Sequence, residues 1–442
     1  MVIERDREIH PLPRAILLDG EIHRALIQLG LGEGLAPLLS PMRTAEYVDV
    51  TGVRLAGQDI PDKSVFGGLS PVSVHFQPDV DALLRREVKS RGAGFVDGRT
   101  ITDVSPDRDG VTVYADGHPV VRSRYVVGCD GASSTVRRST GIGWDDLGFD
   151  QDWLVVDIQV HDRAACGLPD VARQVCDPRR PATMISGHER YYRWELQLQP
   201  GEVPGEMNTP ARVWELLSPW ITPDRAQLVR SAAYRFHAVV ATTMRLDRVL
   251  LAGDAAHQMP PFMGQGLNSG MRDAVNLAWK LKWVLEGWSH EGLLDTYSTE
   301  RRAHAKQVVE QSVEAGQLID QFAGRASHGI TPRATYGGTR RPDGYREGVV
   351  SGVHRKAGRP YPWWHLVADS IPVGPAMTVV SSVGPDVDLP GSGGPWRSVV
   401  LGREKTFGAD YVVVRPDGWV AAVCDSPDLD QTLAALVERL AG

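Results

Sequence analysis

The chain has 442 residues, which at roughly 150 per domain is room for about three domains and excludes a lone binding module or a small disulfide scaffold. Lys and Arg number 48 against 55 Asp and Glu, so 48 − 55 gives a formal charge of −7, and a nucleic acid or an anionic membrane surface is not the expected partner. Cys129, Cys166, Cys176 and Cys424 stand far apart without a C-x-x-C, no metal site is evident, and no apolar run approaches the ~18 residues of a membrane span, so a soluble cytoplasmic protein is expected.

In chain order, Met1-Val2-Ile3-Glu4 reads as the end of a buried strand closing on an acidic residue. Ile22, Leu26, Leu29 and Leu35 stand near helical spacing and predict a helix over about 19–39. A short strand with Val72, Val74 and Phe76 runs into Gln77 and an amphipathic helix carrying Val80, Leu83, Leu84 and Val88. From Phe95 the period changes to two, with turns at Asp109-Gly110 and Asp116-Gly117, which predicts an antiparallel meander ending in Val126-Val127-Gly128-Cys129-Asp130-Gly131.

Residues from about 150 to 245 are strand-like, with a helical piece near 213–220. Val249-Leu250-Leu251-Ala252-Gly253-Asp254 is a buried strand opening into a Pro/Gly-rich loop, followed by helices over about 266–285 and 299–322. A Gly/Pro/Arg-rich linker over 325–395 precedes a strand, strand, helix tail in which Arg415-Pro416-Asp417-Gly418 is the hairpin turn.

The richest segment is Gly253-Asp254-Ala255-Ala256-His257-Gln258-Met259-Pro260-Pro261-Phe262-Met263-Gly264-Gln265-Gly266-Leu267-Asn268-Ser269-Gly270. A buried strand ending on Gly-Asp sets a carboxylate at the sheet's carboxyl edge, where it can accept hydrogen bonds from sugar or ribityl hydroxyls. The Gly264-Gln265-Gly266 turn lets backbone approach a flat ring, and the helix it opens offers free N–H groups and a positive dipole end. Gly264, Gly266 and Gly270 are not a dinucleotide G-x-G-x-x-G, because the third glycine comes one position late and a long loop separates the turn from its strand. A second strand ends on Asp130-Gly131 and turns into a short helix with Ser134 and Arg137. There Asp130 can hold cofactor hydroxyls or brace the loop, and Arg137 can pair with a phosphate.

These segments resemble the class A flavoprotein aromatic hydroxylases of the p-hydroxybenzoate hydroxylase fold, and within them the 3-(3-hydroxyphenyl)propionate hydroxylases. The resemblance runs through Met271-Arg272-Asp273-Ala274-Val275-Asn276-Leu277-Ala278-Trp279-Lys280-Leu281, Tyr297-Ser298-Thr299-Glu300-Arg301-Arg302 and the stretches around Trp153 and Trp194, and covers residues 1 to about 310. Beyond that, Tyr411-Val412-Val413-Val414-Arg415-Pro416-Asp417-Gly418 is similar to the end of a thioredoxin-like tail, without its redox cysteines. The implied fold is α/β: an N-terminally truncated FAD-binding Rossmann-like domain over 1–149 and 246–324, an inserted substrate-binding β-sheet domain over 150–245, a linker over 325–395 and a partial thioredoxin-like tail over 396–442.

The resemblance implies FAD as cofactor, NADH or NADPH as reductant, and O2 delivered through a flavin C4a-hydroperoxide to a small phenolic ring, with a homodimer left open. Carried over residue by residue, Glu4 would hold the adenosine ribose and Arg14 is a cofactor-side arginine. Gln77 would reach the phosphate or ribityl region, and Asp130 and Gly131 would serve both FAD and NAD(P)H. Gly253 and Asp254 would hold the ribityl chain, while Pro261, Gly264, Gly266 and Asn268 would lie against the flavin. His257 is either a base for the phenol or, the preferred reading, a loop histidine bonded to backbone. Arg193 is a candidate anchor for a substrate carboxylate, a surface arginine being the simpler account.

Family members carry a first strand and a G-x-G-x-x-G helix ahead of their acidic strand, and in this sequence nothing precedes Met1. The expectation is a start set too late, with in-frame sequence upstream encoding that unit, and tight FAD binding depending on it. The alternatives are a polyketide or antibiotic tailoring hydroxylase, and a truncated, non-catalytic homologue acting as a binding or scaffold protein.

Overall fold

A computed structural model describes residues 1–61, 68–325, 344–362, 375–391 and 394–441. Among them no helix is long and apolar enough to cross a membrane. The chain opens with β1 (Val2–Ile3), then β2 (Leu17–Asp19) and α1 (Gly20–Gln28), whose first turn is capped by the Asp19 carboxylate accepting from Ile22 N–H at 3.1 Å. The helix expected over 19–39 ends at Gln28, just before Gly30, which takes φ +81°, and two short helical stretches, Gly32–Leu35 and Ala36–Leu38, follow.

After β3 (Leu39–Pro41), β4 (Thr44–Val48), β5 (Arg54–Asp59) and β6 (Val72–His75) comes α2 (Gln77–Ser90), as the periodicity predicts. β7 (Phe95–Val96), β8 (Asp103–Pro106), β9 (Val111–Ala115), β10 (His118–Ser123) and β11 (Val126–Gly128) follow, and β8, β9 and β10 make the expected meander. Asp116 and Gly117 both take positive φ in its second turn.

The large sheet is built on β12 (Trp144–Val160), β13 (Ala172–Val175), β14 (Ala182–Ser186), β15 (Tyr191–Gln197) and β16 (Ala226–Ala241), with α3 (Pro210–Leu217) against it. After β17 (Arg245–Leu246) and β18 (Val249–Leu251), β19 (His257–Gln258) completes it, and its eight strands run β19-β16-β12-β15-β14-β13-β4-β5. The sheet therefore exceeds the limits 150–245. β4 joins β13 in parallel, with Ala45 opposite Ala172, β19 pairs with β16, and β12 starts at Trp144.

Alternation gives the sheet two different faces. On the outer one, Leu154, Val156, Trp194 and Leu196 pack with Val213 and Leu217 of α3. On the inner one, Phe149 and Trp153 pack with Ile16, Leu17 and Phe262.

Two long helices, α4 (Gly266–Leu285) and α5 (Asp295–Phe322), run behind the site loop. The parallel strands expected of a nucleotide-binding layer form two ladders, β1 with β7 and β11 with β18, which are not hydrogen-bonded to each other among the described residues. Of the linker expected over 325–395, residues 326–343, 363–374 and 392–393 lie outside the described residues. The remainder contains β20 (Met377–Ser381), which is a strand of the C-terminal sheet.

With β21 (Trp396–Val400), β22 (Tyr411–Val414), β23 (Val420–Cys424) and α6 (Leu429–Ala441), β20 forms a four-stranded unit, so the tail begins before residue 396. The Arg415–Gly418 hairpin turn forms, with Gly418 N–H donating to the Arg415 carbonyl at 2.9 Å. Arg415 and Asp417 in that turn are nevertheless buried against α4 and α5.

Candidate functional site

β18 is fully buried and lies parallel to β11, so the turns after Leu251 and Gly128 leave the same edge of one ladder. Ala252 N–H donates to the Gly128 carbonyl at 2.9 Å, and the Gln258 amide reaches the Ala132 carbonyl at 3.2 Å. The Gly-Asp and Asp-Gly motifs are thus neighbours. Gly253 takes φ +62° and turns Asp254 outward, where its carboxylate is exposed and has no partner among the described residues.

That turn is fixed from below by Asp273 of α4. Its carboxylate accepts from Gly253 N–H at 2.9 Å, from His257 Nε2 at 2.7 Å and from Arg301 Nε of α5 at 2.7 Å. Burial pushes this carboxyl up, but His257 and Arg301 outweigh it and hold the group below the ordinary carboxylate range. His257 lies in β19 rather than in a loop, fully buried, and its hydrogen-bond partner is the Asp273 carboxylate rather than backbone. With Nε2–H donating to Asp273 and Nδ1 without a hydrogen-bond partner among the described residues, the ring braces the turn from inside.

The loop then makes one helical turn, Pro261–Met263, and reverses at Gly264 in the left-handed region, φ +62°. A Cβ on Gly264 would fall onto the Leu17 side chain, so this glycine faces the protein. A Cβ on Gly266 would meet nothing within 4 Å. Gly266 begins α4 with no side-chain cap, leaving first-turn N–H groups at the positive end of the helix.

Asn268 stitches this loop to β2. Its Oδ1 accepts from Asp19 N–H at 3.0 Å, and its amide nitrogen donates to the Gly264 and Leu17 carbonyls at 2.9 and 3.2 Å. Gly270 is small for a contact reason: a Cβ there would stand 3.1 Å from Gly253 Cα, so the helix presses directly on the turn.

Arg14 enters from the other side. Gln77 Oε1 accepts from Arg14 N–H at 3.1 Å and Ala15 N–H at 2.6 Å, while Arg193 donates to the Arg14 and Pro13 carbonyls at 2.7 and 3.0 Å. The backbone is held from both sides and the Arg14 side chain is exposed. Gln77 therefore braces the loop.

Arg193 is buried, which corrects the surface reading. It pairs with Asp157 at 2.7 Å beside Arg230, and four N–H bonds to Asp157, Pro13 and Arg14 engage the donors that a substrate carboxylate would need.

At the second motif Asp130 accepts from Ser134 Oγ at 2.5 Å and Val136 N–H at 3.0 Å, bracing the short helix Thr135–Ser139. Gly131 takes φ +79° with open space where a Cβ would stand. Arg137 donates to the Ile142 carbonyl at 2.9 Å and lies over the Trp144 ring, its guanidinium carbon 4.2 Å from the centroid. Glu4 stands apart at the end of β1, its carboxylate accepting from Asp6 N–H at 3.0 Å.

Together these segments offer an exposed carboxylate without a partner among the described residues, two glycine surfaces open to a ligand, an uncapped helix N-terminus and an exposed guanidinium. That set suits a flat ring carrying a hydroxylated chain and phosphates. Sequence reasoning missed Asp273 and Arg301. Their signal was a row of polar residues at helical spacing, Ser269, Asp273, Asn276 and Lys280, all on the buried face of α4.

Residues 1–312 match the family model described as FAD binding domain. A "Probable NADH-specific resorcinol 4-hydroxylase" of Rhodococcus jostii (strain RHA1) is 38% identical over 361 residues, covering 80% of this chain and 67% of that protein. A "3-(3-hydroxy-phenyl)propionate/3-hydroxycinnamic acid hydroxylase" of Escherichia coli (strain K12 / DH10B) is 35% identical over 325 residues, covering 72% of this chain and 58% of that protein. The match thus spans between 58% and 67% of these two curated relatives. Among solved structures, aklavinone-11 hydroxylase in ternary complex with FAD and aklavinone superposes with a TM-score of 0.82 over 99% of this chain and 94% of that one. At 22% identity this is a likeness of fold.

Proposed function

Since the chain belongs to the FAD binding domain family, we propose that it is an FAD-dependent monooxygenase that hydroxylates a small phenol, with NADH as reductant and O2 as oxidant. The observation that carries this reading is the exposed Asp254 carboxylate, without a partner among the described residues, beside the uncapped start of α4, on a turn that hydrogen bonds from Gly253 and His257 to the buried Asp273 carboxylate hold in place.

In this reading Asp254 accepts hydrogen bonds from the ribityl chain, and Gly266 and the first turn of α4 lie against the flavin ring, favouring negative charge there. Arg14 pairs with the phosphates, its backbone clamped by Gln77 and Arg193. Gly131 gives the second open surface, while Asn268 and Gly264 act one step back by shaping the loop. Bound FAD supplies the redox chemistry: hydride acceptance from NADH and transfer of one atom of O2 to the ring, the other leaving as water. The protein's share is to hold the ring and exclude water, for which Trp153 and Phe262, packed edge to face with centroids 5.0 Å apart, form an apolar wall.

Both relatives are named for phenols with a second substituent meta to the hydroxyl, resorcinol and 3-(3-hydroxyphenyl)propionate. We take that pattern as the substrate class. With Arg193 engaged internally, a carboxylate on the substrate is not required. The experiment is to load the purified chain with FAD, supply NADH, and offer resorcinol, 3-(3-hydroxyphenyl)propionate and a polycyclic phenol, following NADH oxidation and hydroxylated product. Coupled turnover with the small phenols is expected. Turnover with the polycyclic phenol alone would move the assignment to tailoring chemistry, and NADH oxidation indifferent to every phenol, with no product, would overturn the reading.

A further inference from the structure

The inner face of the large sheet carries a buried carboxyl that the cofactor site does not employ. Glu195 of β15 shares its face with Arg193 and Gln197 and is only 3% exposed. Its cross-strand neighbours are Val155 of β12 and Thr183 of β14. Val155 has no donor, and Thr183 gives its hydroxyl hydrogen to Gln174 Oε1 at 2.5 Å. The nearby arginines are engaged elsewhere, Arg193 on Asp157 and the Pro13 and Arg14 carbonyls, Arg230 on Pro13, Asp157 and Tyr234.

Oε2 of Glu195 is consequently buried without a hydrogen-bond partner among the described residues. That oxygen is therefore free to take a donor from outside the protein. The position suggests the donor. Trp153, which packs on Phe262 of the site loop, stands opposite Gln197 and is therefore the diagonal neighbour of Glu195 on the same face.

We propose that Glu195 recognises the substrate's phenolic hydroxyl, accepting its hydrogen bond on the inner face of the sheet beside Trp153. The inference rests on the hydroxylase reading above and supplies that site with its substrate contact. When Glu195 is ionised the proton passes to it: the phenol O–H bond breaks, a carboxyl O–H bond forms, and the electron pair stays on the phenolate oxygen, enriching the ring for electrophilic attack. Burial pushes the Glu195 carboxyl up to about 7; Asp157 acts in the same direction, and the cations of Arg193 and Arg230 act against it. An acceptor so placed is half ionised near neutral pH, which suits proton transfer.

The test uses the FAD-loaded chain, Glu195→Gln and Glu195→Asp, with binding read from the perturbation of the flavin spectrum. The ligands are 3-(3-hydroxyphenyl)propionate and its methyl ether, which has no O–H to give. Wild type should prefer the phenol over the ether by about tenfold or more, and its phenol affinity should change with pH through a midpoint near 7. Glu195→Gln should lose both the preference and the midpoint, with FAD content and melting temperature as in wild type, and Glu195→Asp should recover part of the preference.

Equal affinity of wild type for phenol and ether, or a Glu195→Gln protein that keeps the preference and the pH midpoint, would overturn the proposal. Should Glu195→Gln fail to fold, the wild-type preference and pH profile decide alone. A wild type that hydroxylates phenols while showing neither feature refutes the role of Glu195 only. One that binds and hydroxylates no phenol refutes the hydroxylase reading and this proposal with it.

Discussion

The two halves of α4 bury charge in different ways. In the first, Asp273 gathers Gly253 N–H, His257 and Arg301, and the turn it secures presents Asp254 outward without a partner among the described residues. In the second, Lys280 donates to Glu300 at 2.8 Å and Arg415 donates to both Glu300 oxygens at 2.8 Å. Asn276 reaches Glu300 and Asp417 at 2.8 and 3.2 Å, and Val349 N–H adds a bond to Glu300 at 2.9 Å.

Every charge of that second cluster is answered within it, and it docks the C-terminal sheet on α4 and α5. Buried charge alone thus does not mark a site in this protein. The mark is a polar group left unspent above a satisfied scaffold.

The comparison breaks most visibly in the docking cluster. Glu300→Gln leaves Lys280 and Arg415 sharing positive charge in the interior, a loss of about 3–5 kcal/mol. A urea titration should show the midpoint falling accordingly, and an unchanged midpoint would mean the cluster docks nothing. The same carboxylate sets an acid limb. Burial raises its pKa, but Arg415 and Lys280 prevail and bring it to about 2, below the ordinary 4.5. A depressed folded-state value stabilises the fold above 4.5, and the contribution fades as pH falls from there toward 2. Stability measured against pH should therefore drop through that window in wild type and less steeply in Glu300→Gln.

Two glycines sharpen the contrast within the site loop. Gly264→Ala combines a positive φ with a Cβ falling on Leu17 and should cost about 1–3 kcal/mol of fold stability. Gly266→Ala points into open space and should leave the unfolding free energy from urea titration within about 0.5 kcal/mol of wild type. If that Cβ points toward the flavin, as proposed, its effect appears in FAD affinity instead. Matching midpoints for the two variants would contradict this division.

Much of this site was legible because its signals are local. The β18 strand, the Gly253–Asp254 turn, the Pro261–Gly264 reversal and the start of α4 are contiguous, and each is announced by a glycine, a proline or a run of buried residues. What was not legible depends on partners far along the chain. Arg193 meets Asp157 and the carbonyls of residues 13 and 14, and nothing in Tyr-Tyr-Arg-Trp-Glu-Leu states which face of the strand is covered. β4 and β5 join a sheet more than a hundred residues downstream through the pairing with β13. Arg415-Pro416-Asp417-Gly418 has the composition of an exposed turn, and its burial follows from Glu300 lying opposite, which no local pattern reports.

The claim that the unspent carboxylate marks the cofactor site is tested most directly by titrating FAD into the wild-type chain and into Asp254→Ala, following quenching of flavin fluorescence, with thermal melts alongside. Removing a charge-assisted acceptor should cost about 1.5–3 kcal/mol of binding, roughly ten- to hundredfold in Kd. The melting temperature without FAD should stay at the wild-type value, because the carboxylate supports nothing within the fold. Equal FAD affinity in the two proteins would contradict the account.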